Sequence, residues 1–67
     1  MPMLITVNGK TCRFEQVVTI QDLLDKFEFT GRLAVEVNTE IVPRSLFSTH
    51  EIHSGDTIEI VRAIGGG

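Results

Sequence analysis

The chain has 67 residues, 42% of them hydrophobic, with six Lys or Arg against nine Asp or Glu, a net charge of −3 and one cysteine. That length allows a single small domain, and so small a core leaves few side chains to wall a catalytic cleft on the order of several hundred Å³. The basic residues Lys10, Arg13, Lys26, Arg32, Arg44 and Arg62 are scattered, which removes the phosphate-neutralising face of a nucleic-acid binder, and Cys12 alone forms no internal disulfide.

The opening segment MLITVNGKTCRFE carries two short alternating runs around Asn8-Gly9, a pair that favours the positive φ angles of a tight hairpin turn. Ile5 and Val7 share one strand face, and Cys12 and Phe14 share one on the returning strand. Thr19 followed by Asp22 then reads as a capped helix start, and Ile20, Leu23, Leu24 and Phe27 fall on one helical stripe, with Gly31 as the exit. LAVEVN at 33–38 alternates as a third strand, 38–40 turns, and Ile41-Val42 forms a short edge strand ended by Pro43.

RSLFSTHEIHSGD has no clean period and reads as a turn or single helical turn followed by a loop. In the last strand, TIEIVRAI, Ile58 and Ile60 point one way while Thr57, Glu59 and Val61 point the other, and Gly65, Gly66 and Gly67 follow. This order predicts an α+β fold: a mixed sheet of four to five strands with one helix on one face. Residues 1–62 form the domain and 63–67 a flexible tail. No stretch reads as a signal peptide or a membrane span, so the expectation is a soluble, cytoplasmic chain, monomeric when free.

Three segments imitate catalytic or metal motifs. Gly9-Lys10-Thr11 resembles the end of a phosphate-binding loop, but the earlier glycine would fall on Leu4 and a strand, not a helix, follows. His50, Glu51 and His53 lie close in sequence, yet zinc prefers four ligands and no second cluster exists, so no metal is expected. Cys12 shares its strand face with Phe14, a setting that suits an inert packed thiol better than a nucleophile. No catalytic constellation emerges, and the chain reads as a carrier or binding protein rather than an enzyme.

The glycine tail admits two readings. Glycine lacks a Cβ, so such a terminus passes through a narrow channel and presents an unhindered carboxylate. Chain ends are also commonly frayed, and composition alone favours that second reading.

Several blocks together resemble the ThiS family, the ubiquitin-like sulfur carriers of thiamine biosynthesis: VNGK at 7–10, TIQDLL at 19–24, VEVN at 35–38, IVPR at 41–44, GDTIEIVRAI at 55–64 and the closing glycines. The resemblance implies a β-grasp fold and a chemistry for the tail. The carboxylate of Gly67 would be activated with ATP as an acyl-adenylate by a ThiF-type adenylating enzyme. Sulfur from a donor such as a cysteine desulfurase would convert it to a thiocarboxylate, and a ThiG-type thiazole synthase would receive that sulfur. Gly66 completes the pair the family shares, and Gly65 lengthens the thread. No cofactor would be bound by the chain itself.

The small subunit of molybdopterin synthase, which shares fold and tail, is the alternative within the superfamily. It tends to carry prolines shortly before its glycines, where this chain has Val61-Arg62-Ala63-Ile64. A ubiquitin-like interaction or modifier module is the alternative outside it. With Ile58 and Ile60 turned to the helix, Val61 and Ala63 fall on the opposite sheet face, and the same alternation adds Leu4 and Ala34 to an expected partner-docking surface.

Overall fold

Residues 2–62 are described by the computed structural model. Strands β1 (Met3–Val7) and β2 (Lys10–Phe14) pair antiparallel across a two-residue turn, Val7 opposite Lys10. Asn8 and Gly9 hold φ angles of 50° and 83°, the left-handed pair that matches the twist of the flanking strands. Met3, Ile5, Val7 and Phe14 are buried, while Cys12 is half-buried against the same core.

A two-residue strand β3 (Val18–Thr19) leads into α1 (Ile20–Lys26). The expected cap is present as a reciprocal pair: Thr19 Oγ1 accepts from Asp22 N–H at 3.1 Å and Asp22 Oδ2 accepts from Thr19 N–H at 3.0 Å. The next two helix donors are also paired, Ile20 N–H with His50 C=O and Gln21 N–H with Phe47 C=O. The short stretch 47–50 therefore closes the helix start.

The helix ends earlier than its stripe implies. Phe27 is the C-terminal capping residue and 42% exposed, its ring edge-on to Phe14 at 6.3 Å, so it covers the rim of the core instead of entering it. Glu28, not Gly31, takes the left-handed position after the cap, at φ 59°. Glu28 N–H donates to Asp25 C=O and Phe29 N–H to Leu24 C=O, the two bonds of a Schellman motif. Gly31 lies in the following loop, also at positive φ.

Strand β4 (Leu33–Val37) turns at Asn38-Thr39 into β5 (Glu40–Val42), with Val37 opposite Glu40. Pro43 then starts a 3-10 turn, Arg44–Leu46. The segment read as a loop contains a further strand, β6 (Glu51–Ile52), paired with β3. Ile52 and Phe47, five positions apart, are buried, and these two apolar anchors pin the segment without any period.

The last strand, β7 (Thr57–Arg62), occupies the centre of a five-stranded sheet ordered β2-β1-β7-β4-β5. It runs parallel to β1 and antiparallel to β4, so the sheet is mixed. Ile20, Leu23 and Leu24 of the helix join Ile5, Val35, Ile58 and Ile60 in one core. Burying each such side chain contributes about 1.5–3 kcal/mol, and no buried side-chain N or O among the described residues lacks a partner.

Candidate functional site

The described residues end on the central strand at Arg62, so its outgoing half is the part of the fold nearest in sequence to the C-terminal glycines. On the face away from the helix, Val61 sits directly opposite Ala34 of β4, both exposed. One rung inward, Glu59 faces Glu36, which in turn faces Ile41 of β5, 72% exposed. The result is a small apolar step beside two opposed carboxylates, a pairing of like charges that does not stabilise the sheet.

Leu4 shares this face and is 52% exposed, but it does not join the step. Thr6 pairs with Thr57 in the parallel ladder, so Leu4 lies two residues before that rung and Val61 four beyond it, roughly 20 Å apart along the sheet. Alternation places residues on a face without saying how far along it they sit. Leu4 belongs instead to the opposite end, where its C=O accepts from Gly55 N–H at 2.8 Å and Ser54 Oγ accepts from its N–H at 3.2 Å. Ala63, Gly65, Gly66 and Gly67 lie outside the described residues.

Two asparagines grip the central strand from its neighbours. Asn38, just after β4, donates its N–H to Thr57 C=O at 2.8 Å while its Oδ1 accepts from Thr57 N–H at 2.9 Å. Asn8, just after β1, donates its N–H to Ile58 C=O at 2.9 Å. Its side chain then reaches Ile60, Oδ1 accepting from the N–H at 2.7 Å and Nδ2 donating to the C=O at 3.2 Å. Sequence reading missed both grips, because the partners stand 19 and 52 residues away; the Asn after each strand is the one local signal.

Beside Asn8, on the helix side, Val7, Lys10, Cys12, Phe27 and Phe29 line a shallow apolar hollow of about 350 Å³. Cys12 Sγ points to Lys10 C=O at 3.7 Å, a weak contact. His50, Glu51 and His53 border another hollow with Asn38 and Asp56, but no three His, Cys, Asp or Glu among the described residues converge as metal ligands. Among the described residues no helix is long and apolar enough to cross a membrane.

One helix laid across a mixed five-stranded sheet whose central strand is the last in the chain defines a β-grasp domain of the ubiquitin-like kind. Residues 5–67 match the model of the ThiS family, and the chain belongs to that family, the non-catalytic sulfur carriers of the ThiS/MoaD superfamily that serve thiamine biosynthesis. It is similar to the sulfur carrier protein ThiS of Bacillus subtilis, 35% identical over 66 residues, which cover 96% of this chain and 100% of that protein.

The crystal structure of a thiamine biosynthesis protein (ThiS) from Geobacter metallireducens superposes with a TM-score of 0.85 at 29% identity, covering 97% of this chain and 100% of that one. A thiazole synthase of Paramagnetospirillum magneticum is 39% identical over 66 residues; this chain spans 97% of its own length there but only 20% of that protein's.

Proposed function

We propose that this chain carries sulfur as a thiocarboxylate on Gly67 and delivers it to a thiazole synthase. The observation that carries the reading is the family match running through residue 67, joined to a central strand that ends at Arg62 and leads straight into the last residues. A carboxylate is a poor electrophile, being anionic with a poor leaving group, so activation has to come first. A carboxylate oxygen of Gly67 attacks the α-phosphorus of ATP on a ThiF-type adenylating enzyme, and pyrophosphate leaves. A persulfide, supplied by a donor such as a cysteine desulfurase, attacks the acyl carbon and expels AMP. A second thiol cleaves the resulting S–S bond, releasing the thiocarboxylate and a disulfide. The chain supplies the acyl group; its partners supply the catalysis.

The step formed by Ala34 and Val61, to which sequence alternation alone adds Ala63, is the surface we assign to docking on those partners, with Leu4 too distant to belong to the same contact. The similarity to a segment of a thiazole synthase supports a working association between such a carrier and that enzyme.

Intact-mass measurement after incubation with ATP, the adenylating enzyme, a persulfide donor and a thiol tests the reading. The expected product is heavier by the difference between sulfur and oxygen, and removal of Gly66 and Gly67 abolishes the gain. Attachment of the chain to a lysine of another protein would point to a modifier instead. Val61→Asp is expected to lower the rate of adenylation about tenfold at fixed carrier concentration while leaving the domain folded, at a cost of about 1–2 kcal/mol in unfolding free energy, since Val61 is 57% exposed.

A further inference from the structure

Asn8 does more than turn a hairpin. The parallel ladder between β1 and β7 has its last backbone rung where Asn8 N–H donates to Ile58 C=O. Alternation along β7 turns the N–H and C=O of Ile58, Ile60 and Arg62 toward β1, and those of Thr57, Glu59 and Val61 toward β4. At the level of Ile60, β1 has already turned away.

The Asn8 carboxamide fills that place. It offers one donor and one acceptor, as a peptide unit does, and pairs with both backbone groups of Ile60, a residue only 4% exposed. Beyond it, the edge of β7 that begins at Arg62 has no residue of β1 alongside. Among the described residues Asn8 is thus the last hold on the central strand from the β1 side, while β4 stays paired with that strand through Arg62.

We infer that Asn8 is a positioning residue for the C-terminal carboxyl: its amide fixes the β1-side edge of the central strand at Ile60, and with it the direction of the strand end from which the last residues continue. This rests on the carrier reading above. Delivery of a carboxylate at the end of a short thread depends on where the thread is anchored, because each productive placement needs the reacting atoms within a fraction of an ångström. Freeing the β1-side edge at Ile60, while the β4 rungs keep Val61 opposite Ala34, widens the range of directions of the strand end without dismantling the docking face, so the loss falls on kcat rather than KM.

The two hairpin asparagines supply their own control. Asn8→Gly keeps a turn that accepts positive φ at both positions while removing the amide; Asn8→Asp keeps the acceptor for Ile60 N–H and loses the donor. Asn38→Gly removes the matching grip at Thr57, the incoming end of the same strand. Each purified variant is followed by amide hydrogen exchange and by ATP–pyrophosphate exchange with the adenylating enzyme, the carrier concentration being varied.

Asn8→Gly is expected to speed exchange at the Ile60 amide about tenfold, with Val35 unchanged, and to lower kcat about tenfold with KM within about twofold; Asn8→Asp falls between. Asn38→Gly is expected to expose Thr57 to a similar degree with kcat unchanged. Equal kcat losses in Asn8→Gly and Asn38→Gly, or an unprotected Ile60 amide with wild-type kcat, overturn the inference alone. Absence of pyrophosphate exchange with the wild-type chain overturns the carrier reading, and the inference with it.

Discussion

The two β-hairpins of the sheet share one design and differ in one residue. Each has a two-residue loop with both φ angles positive, Asn8 and Gly9 at 50° and 83°, Asn38 and Thr39 at 52° and 73°. Each uses its asparagine to grip the central strand, one near the outgoing end and one near the incoming end. Glycine meets the second position at no steric cost, whereas a β-branched threonine there is strained. The hairpin beside the outgoing end is relaxed, and the strain is kept at the other end of the sheet. The amides also differ in what their nitrogens hold: Asn8 Nδ2 donates to backbone, Asn38 Nδ2 to the Asp56 carboxylate at 3.0 Å.

Breaking both hairpins at once takes one substitution. Ile58 is fully buried between them, and Ile58→Ala is expected to cost about 3–4 kcal/mol, most of the stability of a domain this small. Urea unfolding reads it as a large fall in midpoint at unchanged slope.

Smaller changes sharpen the contrast between the turns. A Cβ at Gly9 meets nothing within 4 Å, so Gly9→Ala isolates backbone strain and is expected to cost about 1–2 kcal/mol. Thr39→Gly is expected to do the reverse, adding about 1 kcal/mol and raising the thermal midpoint by roughly 4–8 °C. Shifts of opposite sign in calorimetry confirm that the second turn holds the strain; a destabilised Thr39→Gly places it elsewhere.

These features were unequally legible in the sequence. Asn8-Gly9, the Thr19 and Asp22 cap and the alternation of 33–37 and 57–61 announce themselves, because each is a local signal with a backbone reason. The paired strands at Val18–Thr19 and Glu51–Ile52 are too short to show a period. The helix stop at Glu28 was hidden because a nearby glycine offered the cheaper left-handed position, and the chain uses that glycine in the following loop rather than at the helix end. Leu4 was placed on the right face and grouped with the wrong neighbours, since face follows from alternation while distance follows from the β1 to β7 register. The grip of Asn8 on Ile60 depends on that same non-local pairing.

The central claim is that the sulfur rides on the terminal carboxyl of Gly67. Half-buried Cys12, beside the hollow at the outgoing end of the sheet, is the other atom on this chain that could bind sulfur. Fragmentation mass spectrometry of the sulfur-loaded chain, before and after treatment with excess thiol, separates the two. The account predicts one oxygen replaced by sulfur within the Gly66-Gly67 fragment, stable to thiol; a whole added sulfur on Cys12, removed by thiol, would contradict it.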